Sequence, residues 1–326
     1  MEKVALTLAI GDYEHTRDLA SGRVPVQGAT LNVLALPPEE AFFRFTHFRE
    51  WEVSEMSMGK VVSLRSQADE GFTAIPVFPS RVFRHSMIYV REDAKLERPE
   101  QLKGRRIGIP EWAQTAVIYA RGYLSREAKV PLESVDWVQA GVNEAGRAEK
   151  VKLRLPAGVR LRPEPTRSLN DMLLAGELDA VLSARPPRDL GKGIRRLFAD
   201  YAKAEEAYFK ETGIFPIMHV VVVRSDVLDR HPWLAMNLYK AFEEAKRRSI
   251  ERLSDITASH APFAWLAPYA ERMKAMFGED FWPYGLEKNR KTLQAFVDFA
   301  FEQGVCHRKL SLEELFPEQV LTSFKV

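Results

Sequence analysis

Two stretches of similar pattern set the architecture: Met87-Ile88-Tyr89-Val90-Arg91-Glu92-Asp93 and Met218-His219-Val220-Val221-Val222-Val223-Arg224-Ser225-Asp226. Each is a β-branched or aromatic run closing on Val-Arg-x-Asp, which reads as a buried strand. They are too short for a repeat unit, and about 130 residues separate them. The arrangement expected is a pair of neighbouring crossover strands, where the chain leaves one lobe and returns to it. Residues 1–92 then form the first part of lobe one, 93–213 an inserted lobe two, and 214–326 the rest of lobe one with C-terminal helices. Two crossings make a hinge, and the cleft between lobes is the default ligand site.

Both lobes alternate strand and helix signals outward from these runs. Val4–Ile10, Thr30–Leu36, Val53–Met58 and Ala74–Phe78 read as strands, with helices over Glu39–Phe48 and Lys60–Ala68. In the insert, Arg105–Ile109, Val135–Gln139 and Leu178–Ala184 read as strands, and Ala113–Glu127 and Ser168–Ala175 as helices. Pro156-Ala157-Gly158 suggests a hairpin joining Val151–Leu155 to Val159–Leu161. After Asp226 helical spacing dominates: Leu234, Leu238, Phe242 and Ala245 share one face, as do Leu293, Phe296, Val297 and Ala300. Alternating β and α elements predict an α/β protein with open, mostly parallel sheets covered on both faces.

Composition narrows the function. The 326 residues are 46% hydrophobic and 28% charged, an ordinary globular balance. Cys306 is the only cysteine, so neither an intrachain disulfide nor a CxxC zinc or redox site can form. Forty-seven Lys and Arg against 45 Asp and Glu give +2, which argues against a general nucleic-acid binder. The basic loop Arg185–Arg196 lacks interleaved aromatics, which argues the same way. Val4–Ile10 is too short for a signal peptide core, and no run approaches the roughly 20 apolar residues of a membrane span. The expectation is a cytoplasmic protein with no membrane or nucleic-acid partner; a homo-oligomer is left open.

In open α/β sheets, ligands bind beyond the carboxyl ends of strands. That rule selects Tyr13 after the first strand, Glu55 and Ser57 in the third, and Ser80, Arg81, Arg84 and His85 after the fourth. In the insert it selects Glu111, Gln114 and Thr115 at a helix start, Arg121 on the same helix face as Gln114, and Arg185 after the last strand. His219 opens the second crossing. Arginine forks match carboxylates, and helix N-termini add free N–H donors. The ligand expected is therefore a small carboxylate, walled by Phe78, Phe83, Trp112 and Phe215. Each residue also has a structural reading: the arginines as hinge ion pairs, the histidines as core residues, Glu55 as the partner of a lobe-one arginine. No spacing supports a metal site, and there is no G-x-G-x-x-G, P-loop, G-x-S-x-G or H-E-x-x-H motif.

The block Pro76-Val77-Phe78-Pro79-Ser80-Arg81-Val82-Phe83-Arg84-His85 resembles the 4,5-dihydroxyphthalate decarboxylase family. So do Glu55-Met56-Ser57, Gly108-Ile109-Pro110-Glu111 with Thr115-Ala116 and Ala120-Arg121-Gly122, and Gly176-Glu177-Leu178-Asp179-Ala180. Thr212-Gly213-Ile214-Phe215-Pro216-Ile217-Met218-His219 and His231-Pro232-Trp233 follow the same pattern, and the resemblance runs from about residue 4 to 317. It implies a type II periplasmic-binding-protein-like fold, two lobes on a two-strand hinge. It also implies a non-oxidative decarboxylase of a dihydroxylated aromatic diacid with no organic cofactor. The family motif does not name the reacting residue. A general acid must protonate the ring carbon as CO2 leaves, and histidine suits that task. His85 is expected as the acid with His219 in reserve, while Arg81 and Arg185 clamp the carboxylates from opposite lobes. The competing class is a solute-binding protein that captures a carboxylate for an ABC transporter, which the missing export signal disfavours. A pyrimidine synthase of thiamine pathways shares the fold but is expected to carry a cysteine-rich motif.

Overall fold

A computed structural model describes residues 3–321. Strands β1 (Val4–Ile10), β2 (Ala29–Ala35), β3 (Val53–Ser57) and β4 (Phe72–Ile75) alternate with helices α1 (Arg17–Ala20), α2 (Pro38–Phe48) and α3 (Met58–Ser66). The middle of the chain supplies β5 (Ile88–Arg91), β6 (Arg106–Ile109), α4 (Thr115–Arg126), β7 (Asp136–Gln139) and β8 (Arg160–Pro163). It continues with α5 (Leu169–Leu174), β9 (Ala180–Leu182), β10 (Ile194–Arg196) and α6 (Tyr201–Thr212). The last part holds β11 (His219–Arg224), α7 (Ser225–Arg230), α8 (Leu234–Leu253), α9 (Leu266–Phe277) and α10 (Leu286–Glu302).

These elements form two sheets, ordered β2-β1-β3-β11-β4 and β10-β5-β9-β6-β7-β8. Within each, the strands linked by helical crossovers run parallel, and the strand arriving from the hinge inserts antiparallel. β11 lies antiparallel between β3 and β4, and β5 antiparallel to β9 and β10. The two look-alike runs therefore belong to different sheets and are not neighbours. Ile88–Arg91, assigned by pattern to the first lobe, pairs in the second sheet, so the first crossing falls before residue 88. The hydrophobic pattern specifies a buried strand but not which sheet buries it. What does pair at the hinge is the chain upstream of the first run with the start of the second. Arg81 bridges antiparallel to Ile217, Val221 donates its N–H to the Val77 carbonyl at 3.0 Å, and Met218 to Ser80 at 2.8 Å.

The expected hairpin at 151–161 does not form. Residues 151–155 have no strand partner, and Arg160–Pro163 pairs parallel with β7. Arg154 instead donates its N–H to the Gly304 carbonyl at 2.8 Å, which captures the segment against the end of α10. The amphipathic faces of α8 and α10 are buried as their spacing requires. α10 packs against α3 of one lobe and α4 of the other. Among the described residues, no helix is long and apolar enough to cross a membrane.

Candidate active site

Strand β3 runs directly into α3 with no intervening loop, and all five of its residues are buried. Glu55, fully buried in this strand, would be costly without partners. It has three: it accepts from Gly11 N–H at 2.8 Å, from the Tyr13 hydroxyl at 2.7 Å, and meets His219 Nδ1 at 2.5 Å. In register His219 faces Ser57 across the β3–β11 ladder, so Glu55 is its diagonal neighbour on the same face. Burial pushes the Glu55 carboxyl upward, but the hydrogen bond and charge of His219 outweigh this and hold it below its usual range. Glu55 thus accepts a hydrogen bond from Nδ1 of His219, whose Nε2 has no protein partner among the described residues. Phe42 of α2 packs its edge against the same imidazole, with ring centroids 4.9 Å apart.

His219 lines a cavity of about 320 Å³ between the lobes. Lobe one contributes Glu39, Phe42, Ser57 and Lys60; lobe two contributes Glu111, Gln114, Thr115 and Arg185. It lies at the carboxyl ends of β3, β6 and β9, as the strand-end rule requires. The lobes touch here: the Ser57 and Thr115 hydroxyls are 2.9 Å apart, and Thr115 Oγ1 accepts from Gly59 N–H at 2.9 Å. A Cβ on Gly59 would sit 2.5 Å from the Ala113 carbonyl, so only glycine lets the lobes approach this closely.

The cavity is lined by charges of both signs, some paired and some not. Lys60, in the first turn of α3, is 8% exposed, and no carboxylate lies within ion-pair distance of it among the described residues. Burial, and then the Lys150 charge, hold its ammonium below the usual lysine range. Arg84 gives Nε to Met218 Sδ at 3.1 Å and also has no ion pair; burial lowers its guanidinium to about 10. The other wall holds Glu111, whose Oε1 takes Arg147 at 2.6 Å and Lys150 at 3.1 Å. Glu149 accepts from Trp112 N–H at 2.6 Å, and burial, then Glu111, raise its carboxyl. At the mouth, Arg185 and Glu39 pair across the lobes at 3.2 Å.

No family model matches the chain. Among curated proteins, a 4,5-dihydroxyphthalate decarboxylase of Comamonas testosteroni is 35% identical over 330 residues, covering all of both chains. The chain belongs to the 4,5-dihydroxyphthalate decarboxylase family. Another protein of that name, from Pseudomonas putida, is 38% identical over 194 residues, covering 59% of this chain and 75% of its own. Both are by name carboxy-lyases. Among solved structures, the periplasmic aliphatic sulphonate binding protein SsuA of Escherichia coli superposes with a TM-score of 0.54 at 13% identity, covering 100% of this chain and 95% of its own. The desulfurization enzyme DSZB gives 0.52 at 18% identity, covering 98% of each chain. At such identity these likenesses establish the fold alone, a two-lobe periplasmic-binding-protein-like architecture.

For this decarboxylase-family chain, the residues selected from sequence divide into two groups. His219, Ser57, Arg84, Glu111, Gln114, Thr115 and Arg185 line the cavity, and Glu55 and Tyr13 stand directly behind His219. Arg185 remains 70% exposed at the mouth and is held by Glu39, so it is placed to latch the cleft rather than to sit beneath a ligand. Ser80 acts through its carbonyl, which accepts from Met218 and His219 N–H at 2.8 and 3.3 Å. Arg81 faces elsewhere: it donates to the Phe215 carbonyl at 3.1 Å, the Pro283 carbonyl at 2.7 Å and Asn289 Oδ1, and so ties the hinge to α10. Arg121 is fully buried, stacked 3.7 Å from the Trp112 ring and bound to Gln303 Oε1 at 2.9 Å. Neither arginine is available to clamp a cleft ligand. Phe78, Phe83, Trp112 and Phe215 pack into the core or onto one another, and Phe42 supplies the aromatic wall instead.

His85 also lies outside the cavity, packed against Tyr123, Phe198 and Tyr208 with neither ring nitrogen hydrogen-bonded. Burial lowers its pKa to about 4 from the model-peptide value of 6.5. The unfolded chain therefore takes up this proton at a higher pH than the folded one. Stability falls as pH drops from about 6.5 to 4, by about 3 kcal/mol for this group alone. Thermal melts of His85→Leu should show a flatter decline across that window, with decarboxylation unchanged.

Lys60 is read from sequence only as the first residue of a helix and is not among the candidate site residues. Its signal was positional: it lies three residues beyond the end of β3. Arg147, Glu149 and Lys150 lie in 140–159, which has no helix or strand and hence no periodic signal. Among the described residues, no group of three or more His, Cys, Asp and Glu side chains is placed to hold a metal ion.

Proposed function

We propose that this chain decarboxylates a dihydroxylated aromatic dicarboxylate of the 4,5-dihydroxyphthalate type, with His219 as general acid. The observation that carries the reading is the buried Glu55–His219 pair, 2.5 Å apart, at the wall of a cavity whose Lys60 and Arg84 have no carboxylate partners. A pair of substrate carboxylates supplies what those two cations lack. The free N–H groups of the α4 N-terminus, where Thr115 and Ala116 line the cavity, favour the same charge.

Glu55 fixes the orientation of the imidazole through Nδ1. The Nε2 proton adds to the ring carbon that bears the leaving carboxylate. The carbon–carbon bond then breaks, CO2 departs, and the bonding electrons return to the ring. The product is the monoacid with hydrogen in place of the carboxylate. The contact to the departing carboxylate must be the looser one, because tight ground-state binding there raises the barrier.

The decisive experiment mixes purified protein with 4,5-dihydroxyphthalate and follows CO2 and the dihydroxybenzoate. Stoichiometric formation of both is expected. Saturable binding without CO2 release would replace the enzyme reading by a binding-protein one.

A further inference from the structure

Glu111 follows β6 at the lobe-two wall of the cavity, across the cleft from His219 at the lobe-one wall. It is 5% exposed. Both of its cationic partners, Arg147 and Lys150, bind the same oxygen, Oε1. No protein donor reaches Oε2, nor is that atom among the sealed-off polar atoms of the core. The cavity therefore presents a carboxylate oxygen without a protein donor, its charge supported by Arg147 and Lys150 in the same wall, across the cleft from the acid. A carboxylate oxygen only accepts hydrogen bonds, so it repels the substrate's carboxylates and suits a hydroxyl. The opposite wall, with Lys60 and Arg84, favours the carboxylates.

We infer that Glu111 is the hydroxyl-recognising base of this site: Oε2 accepts the proton of the ring hydroxyl para to the leaving carboxylate. The inference rests on the decarboxylase reading above. As Nε2 of His219 delivers its proton to the ring carbon, the hydroxyl proton passes to Glu111 and the ring becomes a cyclohexadienone. Carbon–carbon cleavage then sends its electron pair into the ring and releases CO2. The oxygen takes its proton back from Glu111. The net change is one proton from His219 onto carbon and one CO2 released, with Glu111 restored.

The test compares affinity for 4,5-dihydroxyphthalate and for phthalate, which lacks the hydroxyls, by calorimetry. The wild type should prefer the hydroxylated ligand by at least about tenfold, the value of a hydrogen bond to a charged group. In Glu111→Ala this preference should collapse, whereas phthalate affinity should hold or rise. Glu111→Gln keeps an acceptor oxygen but cannot take the proton. It should retain most of the preference, yet lose about 10²- to 10⁴-fold in kcat. A Glu111→Ala preference equal to wild type, or a Glu111→Gln enzyme with full kcat, overturns the inference. Failure of the wild type to release CO2 instead overturns the decarboxylase reading, and the ligand preference still reports on hydroxyl recognition. Should Glu111→Ala not fold, the kcat of Glu111→Gln decides.

Discussion

Replacing His219 with alanine is expected to lower kcat for 4,5-dihydroxyphthalate by about 10²- to 10⁴-fold, the range of a positioned general acid. Affinity should change little. On the proposed reading Lys60, Arg84 and the start of α4 carry carboxylate binding, and none of them is hydrogen-bonded to the imidazole. Steady-state kinetics with a separate calorimetric Kd divides the two effects. The variant leaves Glu55 fully buried with Gly11 N–H and the Tyr13 hydroxyl as its remaining partners. Some loss of Tm is therefore expected, and the kinetics should be read well below the melt. Wild-type kcat in a folded His219→Ala protein would remove the acid from the mechanism.

Lys60→Met should raise KM by about 10- to 100-fold, the loss of one charge-assisted hydrogen bond to a substrate carboxylate. Methionine keeps the unbranched apolar stem and removes only the charge. The same change should raise Tm, since Lys60 is 8% exposed and lacks an ion-pair partner, so its desolvation is uncompensated in the empty protein. Loss of binding with gain of stability is the pattern of a group kept for a ligand. Unchanged KM would leave Arg84 as the cation on which carboxylate binding rests.

The two-lobe α/β organisation was legible because it is written in local pattern. Apolar runs bounded by glycine and proline, and helical spacing in α2, α4, α8 and α10, mark elements without reference to distant chain. The strand-end rule also brought nine of the residues it selects to the cavity or directly behind His219. It failed for Arg81, Arg121 and His85, and the reason is the same in each. Strand ends and helix starts present residues both to the cleft and to the packing between hinge, α4, α6 and α10. A charged or titratable side chain in such a segment fits either setting. Arg81 found carbonyls of 215 and 283, Arg121 found Gln303 and the ring of Trp112 just before its own helix, and His85 found three aromatic rings; all but Trp112 are from chain far away in sequence.

By itself, then, the sequence determined the class of fold and named residues that meet at one cavity. Family membership followed from likeness along the whole chain. Tertiary structure alone decided which polar groups were already spent. A histidine becomes a candidate acid when one nitrogen is fixed by a buried carboxylate 164 residues away and the other is left open. A lysine becomes a candidate anchor when it is buried and no carboxylate lies within ion-pair distance of it. Those are properties of partners, and partners are set by how the two sheets meet at the hinge, which the local spacing of residues does not encode.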